Sequence, residues 1–232
     1  MKGWRKSAIF GLKALNSIPK IKGISKIMPT IFNKAQKSKL TVFRISAVFP
    51  LYNFKISPGE LLLVSGANGV GKTTLLSNIV NFTEPLEGNI TYHGTSIDNH
   101  IASECFLYIG ENNFAYDTLT LNQNIDYWLS VHNVNFDKSI KNKSVNFLFQ
   151  ELNLDKKFYQ LSFGQKKKLQ LLLLMLVNKP VWILDDPYSG LDTRSITKIN
   201  TLFKKKLENK GIIIVTSHQK INLHNYKTLQ LT

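Results

Sequence analysis

The feature that most constrains this chain is a glycine-rich loop between an apolar run and a helical pattern. The apolar run at 61–64 is typical of a buried strand, and apolar residues recur at helical spacing after the loop. The loop itself reads Gly66-x-x-x-x-Gly71-Lys72-Thr73. An ordinary glycine turn would not need the Lys-Thr pair, whereas a loop that surrounds phosphate groups does. The order strand, loop, helix therefore predicts an α/β fold with a phosphate site.

This loop predicts binding of a nucleoside triphosphate together with Mg²⁺. Glycines let successive backbone N–H groups curl around phosphates, and the N-terminus of the following helix adds a positive dipole. We expect Lys72 to neutralise the β- and γ-phosphates and Thr73 to place its hydroxyl on Mg²⁺. The predicted nucleotide-binding residues of the loop are Gly66, Ala67, Asn68, Gly69, Val70, Gly71, Lys72, Thr73 and Thr74.

Two adjacent carboxylates follow a second apolar run. Asp185 and Asp186 come directly after 181–184, which reads as another buried strand. Parallel strands present their carboxyl ends at one edge of the sheet, so Asp185 is expected beside the phosphate loop, where it can hold Mg²⁺ through water. Solvated loop acids are the alternative interpretation, and the preceding apolar strand argues against it.

The remaining pattern alternates strands and helices, which favours a mostly parallel sheet flanked by helices. No internal repeat is visible. Strands are predicted within 40–64 and at 89–92, 106–109, 181–184 and 212–215, and helical stretches at 119–157, 165–177 and 194–208.

With these residues in place, the chain resembles the ABC ATPase family. The segment 161–165 (LSFGQ) is similar to the family signature, and 182–187 (WILDDP) to its Walker B strand. The segment 189–192 (SGLD) resembles the D-loop, and 216–218 (TSH) the segment with the switch histidine. The resemblance spans about residues 40–232, with the motifs in the family order.

This resemblance implies an α/β P-loop NTPase of ABC ATPase type. It has a mostly parallel sheet core, a helical signature subdomain at about 115–178 and an N-terminal β region. The ABC ATPase domain would then occupy 40–232 and follow an extension at 1–39.

The family's working form is a head-to-tail pair of ATP-binding subunits, so the resemblance implies a second copy of this chain in the ATP state. The phosphate loop of one subunit and the signature of the other close on each nucleotide. Asp186, His218 and Asn112 would then act in catalysis, with Asn112 also near Mg²⁺. The residues that the resemblance adds to the ATP site are Ser162, Gly164 and Gln165 of the signature, Asp192 of the D-loop, and Phe43 against the base.

Three positions depart from the family pattern. Asp186 stands where the family usually has Glu, so its side chain is one methylene shorter. A side chain of this length is expected to hold the attacking water less well, which would make ATP hydrolysis slow. Asn112 replaces the glutamine that the resemblance places near Mg²⁺ and at the coupling surface, and Phe163 replaces a small signature residue. The charges that bind ATP are unchanged, so these departures concern the rate of hydrolysis.

The positive charge is concentrated at the N-terminus. The chain carries a net charge of +15, and ten basic residues fall within 1–39, leaving +5 for the rest; the first acidic residue is Glu60. An acid-free, cationic segment with scattered apolar residues resembles an organellar targeting segment. Its excess of Lys over Arg is atypical, and a solvated arm in a lysine-biased proteome is the alternative; an arm for membrane surfaces or RNA is a third.

Composition excludes several other classes. A hydrophobic content of 43% argues against wholesale disorder, and the single cysteine, Cys105, leaves no internal disulfide or cysteine-rich zinc site. The longest apolar run, 171–177, is far shorter than the roughly 20 residues of a membrane-spanning helix. A transporter role would therefore need a separate membrane-spanning subunit, with peripheral association of this chain through that partner.

Among ABC subunits, the segments 108–110, 182–188 and 217–222 make the chain similar to the haem-exporter ATP-binding subunits of cytochrome c maturation, the CcmA family. That resemblance and the cationic extension together predict the matrix side of the mitochondrial inner membrane, with a plastid or the cytoplasmic face of a bacterial membrane as alternatives. Soluble ABC ATPases that act on DNA fit less well, because 89 residues between loop and signature cannot supply long coiled coils. Those that act on ribosomes usually carry two such domains in one chain. Direct binding of nucleic acid is not expected. A nucleotide-gated subunit with little hydrolysis stays open.

Overall fold

The computed structural model describes residues 52–111, 115–135, 138–149, 152–218, 221–223 and 226–232, together with the backbone of residues 40–46. The strands are β1 (Leu40–Ser46), β2 (Tyr52–Ile56), β3 (Leu61–Ser65), β4 (Glu87–Tyr92), β5 (Thr95–Ser96), β6 (Phe106–Ile109), β7 (Val181–Leu184), β8 (Ile212–Thr216) and β9 (Lys227–Gln230). The α-helices are α1 (Lys72–Ile79), α2 (Asn99–Cys105), α3 (Leu121–Val131), α4 (Lys138–Leu148), α5 (Phe163–Leu171), α6 (Leu173–Leu176) and α7 (Thr193–Glu208), and a 3₁₀ turn spans Phe158–Gln160.

A parallel sheet forms the centre of the molecule. Its strand order is β6-β7-β8-β3-β9, and each neighbouring pair is parallel. Every residue of β7 and β8 is buried, as expected for strands covered on both faces. All five strands end at the same edge, so the loops after β3, β6, β7 and β8 converge there.

A second, antiparallel sheet packs near the first. Its order is β2-β1-β4-β5, and β1 is its central strand, with β2 and β4 on either side. Phe43 lies in β1 opposite Asn89 of β4. This sheet corresponds to the predicted N-terminal β region, and it also contains β4 and β5, which follow α1 in the chain.

Alternation along the strands divides the core into two clusters. In β7, Val181 and Ile183 join a cluster with α1 and the antiparallel sheet. Trp182 and Leu184 face the other side, where helices α3 to α7 pack. The layered arrangement confirms the predicted α/β class with a mostly parallel sheet. None of the helices in the described ranges combines the length and the apolar character needed to cross a bilayer.

Some element boundaries differ from the sequence prediction. The prediction of a single helix at 165–177 is wrong, because the structure divides this stretch: α5 ends at Leu171 and α6 begins at Leu173. The helical stretch predicted at 119–157 contains two separate helices, α3 and α4, and the short turn Phe158–Gln160 follows. Helix α2 and strands β5 and β9 were not predicted, because each is short and none has a strong apolar period.

Candidate functional site

A cavity of about 490 Å³ opens where the strand ends of the parallel sheet converge. Its walls come from segments far apart in sequence: the loop after β3, the ends of β6 and β7, and the end of β8. The lining residues are Asn68, Gly69, Gly71, Lys72, Thr73, Thr74, Glu111, Asp185, Asp186, Thr216 and His218. Ammonium, hydroxyl and carboxylate groups therefore face one space, as a site for a phosphate ester and a divalent cation requires.

The phosphate loop is closed by its own lysine. Lys72 Nζ donates to the carbonyl oxygens of Gly66 at 2.8 Å and Ala67 at 2.9 Å. The ammonium group of Lys72 therefore lies across the opening of the loop. Gly66 has a φ of 152°, and a Cβ there would lie 2.8 Å from the carbonyl oxygen of Leu231. The first glycine of the motif is thus required by backbone packing against the segment that follows β9.

Helix α1 begins at the cavity. Its N-cap residue is Gly71, and no described side chain caps the N–H groups of its first turn. These groups, together with the helix dipole, favour a negatively charged ligand. The opposite end of the helix is anchored in the core, because Leu75, Leu76 and Ile79 are buried.

The carboxylate of Asp185 joins the loop to the sheet. Thr73 Oγ1 donates to Asp185 Oδ2 at 2.7 Å, and Thr216 Oγ1 donates to Asp185 Oδ1 at 2.5 Å. One hydroxyl and one carboxylate at this distance match the way Mg²⁺ is held in nucleotide sites, by one or two protein oxygens plus phosphate oxygens and water. The residues present therefore fit the expected cation.

Asp186 has an unusual backbone conformation. Its φ is 41°, in the left-handed region that L-residues other than Asn and Asp rarely adopt. Its backbone N–H donates to Thr216 Oγ1 at 2.9 Å. Asp186 lines the cavity. The exposed His218, which lies just beyond β8, lines it too. The sharp turn after Asp185 thus directs two successive carboxylates toward the same cavity.

The signature segment is not among the residues that line this cavity. It starts α5, where Ser162 Oγ accepts from Gln165 N–H at 3.2 Å and Gln165 Oε1 accepts from Ser162 N–H at 3.0 Å. This reciprocal cap explains why the helix begins here. The ring of Phe163 is 56% exposed.

The signature packs on the loop that contains Asp192. A Cβ on Gly164 would lie 2.5 Å from Gly190 O, so the two backbones are in close contact. Lys168 Nζ donates to Asp192 Oδ2 at 2.7 Å, and Asp192 Oδ1 caps α7 by accepting from Ser195 N–H at 2.8 Å. The bond from Lys168 and the helix N-terminus hold the pKa of Asp192 well below its usual range. Segments 161–165 and 189–192 therefore form one surface.

Two predicted site residues lie wholly or partly outside the described part of the chain. Asn112 lies outside the described residues, and for Phe43 only the backbone is described. Of the loop residues, Asn68, Gly69, Gly71 and both threonines line the cavity with Lys72, whereas Gly66, Ala67 and Val70 form the loop without appearing in that wall.

Two residues in the cavity wall had no assigned role at the sequence level. Thr216 is the first residue of the segment 216–218 that contains the switch histidine, and Glu111 directly precedes Asn112. Thr216 is the last residue of β8, and Glu111 lies two residues beyond β6. This location was the available signal, because positions at or just beyond the ends of parallel strands meet at the same sheet edge.

Comparison with known proteins is consistent with this geometry. The ABC transporter family model matches residues 51–189. A curated relative from Reclinomonas americana, the cytochrome c biogenesis ATP-binding export protein CcmA, is 32% identical and aligns over 82% of this chain and 90% of its own length. The protein of the same name from Vibrio vulnificus is 31% identical over 78% of this chain and 90% of its own.

Solved structures share the fold. A putative ABC transporter ATP-binding protein from Pyrococcus furiosus superposes with a TM-score of 0.70 at 24% identity, covering 84% of this chain and 98% of that one. A bacterial Atm1-family ABC exporter with ATP bound superposes with a TM-score of 0.71 at 17% identity, covering 84% of this chain and 37% of that one. At these identities the likeness concerns the fold alone.

Proposed function

This chain belongs to the ABC transporter family of ATPases, and on that premise we propose that it is the ATP-hydrolysing subunit of a haem exporter for cytochrome c maturation. The observation that carries the proposal is the similarity to cytochrome c biogenesis export ATPases along 78–82% of the chain. A fold likeness alone would leave the transported species open.

The arrangement of the cavity supports ATP hydrolysis by the described residues. Lys72 would bind the β- and γ-phosphates, assisted by the uncapped N-terminus of α1. Asp186 would orient a water molecule and accept its proton as it attacks, and His218 would hold the γ-phosphate and that water in line. Each of these groups reaches the cavity from the end of a parallel strand or from the loop after one.

Mg²⁺ bound by Thr73 and Asp185 would neutralise developing charge on the phosphate oxygens. Thr216 holds Asp185 from the other side and so fixes the direction of this carboxylate. Because Thr216 holds Oδ1 of Asp185, Oδ2 could exchange its hydrogen bond with Thr73 for a contact with the cation.

The proposal includes a second copy of the chain in the ATP state. Ser162, Gly164, Gln165 and Asp192 lie outside the cavity wall and next to one another, so a facing copy could present them to the nucleotide. Ser162 Oγ and the first N–H groups of α5 carry the polar and dipolar character that an anionic phosphate would meet. ATP would then draw two copies together and transmit closure to a separate membrane-spanning subunit.

The proposed location is the matrix side of the mitochondrial inner membrane, through that membrane subunit. The motive is the cluster of ten basic residues in 1–39 with no acidic residue before Glu60. Fusion of residues 1–39 to a fluorescent reporter tests the targeting role. Mitochondrial import that is lost when the basic residues become Gln supports it, whereas a reporter that stays in the cytosol contradicts it.

The enzymatic part is tested by the ATPase rate of the full chain. Lys72→Ala should abolish turnover and weaken ATP binding, and Asp186→Asn should abolish turnover while ATP still binds. Lys204→Ala, on the exposed face of α7, is the matched control for loss of a lysine and should leave the rate unchanged.

The transport part is tested by affinity capture from membranes and by reconstitution. A multi-span subunit that copurifies with the chain, raises its ATPase rate and restores haem attachment to cytochrome c in a depleted strain supports the proposal. Copurification with ribosomes or DNA, without such a subunit, would leave the ATPase intact and overturn the haem-export assignment.

A further inference from the structure

A buried lysine of the signature helix reaches under the catalytic cavity. Lys167 lies in α5, and only 2% of it is exposed. Its Nζ donates to the carbonyl oxygens of Gly110, at 3.4 Å, and of Asp185, at 3.3 Å. Gly110 follows β6 and Asp185 follows β7, so one ammonium group spans the ends of two neighbouring strands.

The carbonyl of Asp185 belongs to the peptide bond that joins the two acidic residues. The N–H of this same peptide, on Asp186, donates to Thr216 Oγ1 at 2.9 Å. Lys167 therefore holds one side of the peptide plane and Thr216 holds the other. A plane held at both ends cannot rotate without breaking a hydrogen bond in a buried region, where a lost bond is not replaced by water.

This peptide needs such support because Asp186 has a φ of 41°. A left-handed conformation at a non-glycine residue is less stable than the ordinary helical or extended one, so surrounding contacts must impose it. The direction of the Asp186 side chain follows from the backbone conformation. Contacts that fix the peptide consequently fix where its carboxylate enters the cavity.

The charges nearby also favour a cation at this place. Burial lowers the pKa of Lys167, and the carboxylates of Asp186, Asp185 and Glu111 oppose that effect. These three acids also line the cavity, and the ammonium group of Lys167 lies next to the strand ends from which they reach it. A neutral side chain in place of Lys167 would leave two strand-end carbonyls with fewer donors.

We propose that Lys167 is a positioning residue that sets the orientation of Asp186 by holding the 185–186 peptide from the signature helix. This inference rests on the proposed hydrolytic role of Asp186. It adds a direct link between the signature helix and the acidic pair within one copy of the chain.

The test compares Lys167→Met with Lys206→Met in the full chain. Both lysines are buried and donate to backbone carbonyls, but Lys206 of α7 bonds Lys179 before the start of β7, away from the cavity. For Lys167→Met we expect kcat for ATP to fall about 10- to 100-fold with KM changed less than about threefold. Lys206→Met also removes a buried lysine and should leave kcat at the wild-type value.

A second readout does not need turnover. Amide hydrogen exchange at Asp186 should accelerate about tenfold or more in Lys167→Met and stay unchanged in Lys206→Met. This measurement separates the inference from the transport proposal and from the ATPase rate itself. Lys167→Arg, which keeps a cationic donor, should recover part of both properties.

The inference is overturned if Lys167→Met retains kcat and Asp186 exchange within about twofold of wild type. It is also overturned if Lys206→Met lowers kcat as much, because general loss of stability would then explain the effect. If Lys167→Met does not fold, Lys167→Gln decides by the same two measurements, since its shorter amide cannot span both carbonyls.

Discussion

The hydroxyl of Thr73 lies 2.7 Å from Oδ2 of Asp185 and donates a hydrogen bond to it. The two residues are 112 positions apart in the chain. Through this bond the first turn of α1 is joined to the end of β7, and the phosphate loop is held against the acidic strand end. The donor and the acceptor are also the two protein groups best placed for a divalent cation.

Removing the Thr73 hydroxyl should therefore weaken both the loop and the cation site. Thr73→Val is expected to lower the ATPase rate about 10- to 100-fold and to raise the Mg²⁺ concentration for half-maximal activity. Thr73→Ser keeps the hydroxyl and should stay near the wild-type rate. Steady-state ATPase assays across a Mg²⁺ titration measure both effects, and equal Mg²⁺ dependence in Val and Ser variants would contradict this role.

Asp186 should respond differently to two substitutions. Asn tolerates the left-handed φ of 41° but cannot accept a proton, so Asp186→Asn should fold normally and lose about 10²- to 10⁴-fold in kcat. Asp186→Glu extends the carboxylate by one methylene and should raise kcat, while costing about 1 kcal/mol of stability because Glu adopts this φ less readily. Single-turnover kinetics with urea unfolding test both; a slower Glu variant would show that the shorter side chain suits this cavity.

The cost in stability of replacing Gly190 should depend on the ring of Phe163. Its φ is 69°, and a Cβ there would lie 2.3 Å from Cδ1 and 2.5 Å from Cε1 of Phe163. Gly190→Ala should destabilise the fold by about 2–4 kcal/mol through the positive φ and the clash together. Phe163→Ala alone removes a mostly exposed ring and should cost less than about 1 kcal/mol.

The double variant Gly190→Ala with Phe163→Ala should recover the part of that loss due to the clash. Urea unfolding of the four proteins gives the coupling free energy between the two sites. Strict additivity would mean that the ring moves aside without cost, and the contact would then have no role in holding 161–165 against 189–192.

Lys206 should make stability rise in alkaline solution. Burial lowers the pKa of Lys206 to about 8 from an ordinary value of 10.5. Between these values the unfolded chain binds more protons than the folded one, so the free energy of unfolding increases with pH from about 8 to 10.5, by up to roughly 3 kcal/mol. Lys206→Met removes this contribution. Urea unfolding of both proteins across that range should give curves that diverge as pH rises, and parallel curves would contradict the burial of a charged lysine.

Much of the site could be predicted from sequence because it depends on strand ends. The phosphate loop, Asp185, Asp186 and His218 each follow an apolar strand, and parallel strands bring such positions together whatever their separation along the chain. Those residues line one cavity in the structure. The same reasoning places Glu111 and Thr216, although no motif had drawn attention to them.

Other features depend on packing that no local pattern encodes. Lys167 reads as one of three consecutive lysines in 166–168, yet it is the one of the three classed as buried, because helix phase against β6 and β7 decides which lysine turns inward. The break between α5 and α6 falls within an unbroken run of leucines, where neither Gly nor Pro marks it. The core accepts leucine on every side there, so hydrophobic periodicity carried no boundary signal.

The sheet order also has a consequence for how the chain matures on the ribosome. Strand β3, which leads into the phosphate loop, pairs only with β8 and β9, which are synthesised about 150 residues later. Contacts of such long sequence separation form slowly, and until they form the exposed apolar strand is prone to association with other chains. A nascent chain stalled before residue 212 would hold every residue of the phosphate loop, yet β3 would lack both of its neighbouring strands. The ability to bind a nucleotide is thus acquired late in synthesis, and ATP would bind and stabilise only those molecules in which β8 and β9 have joined the sheet.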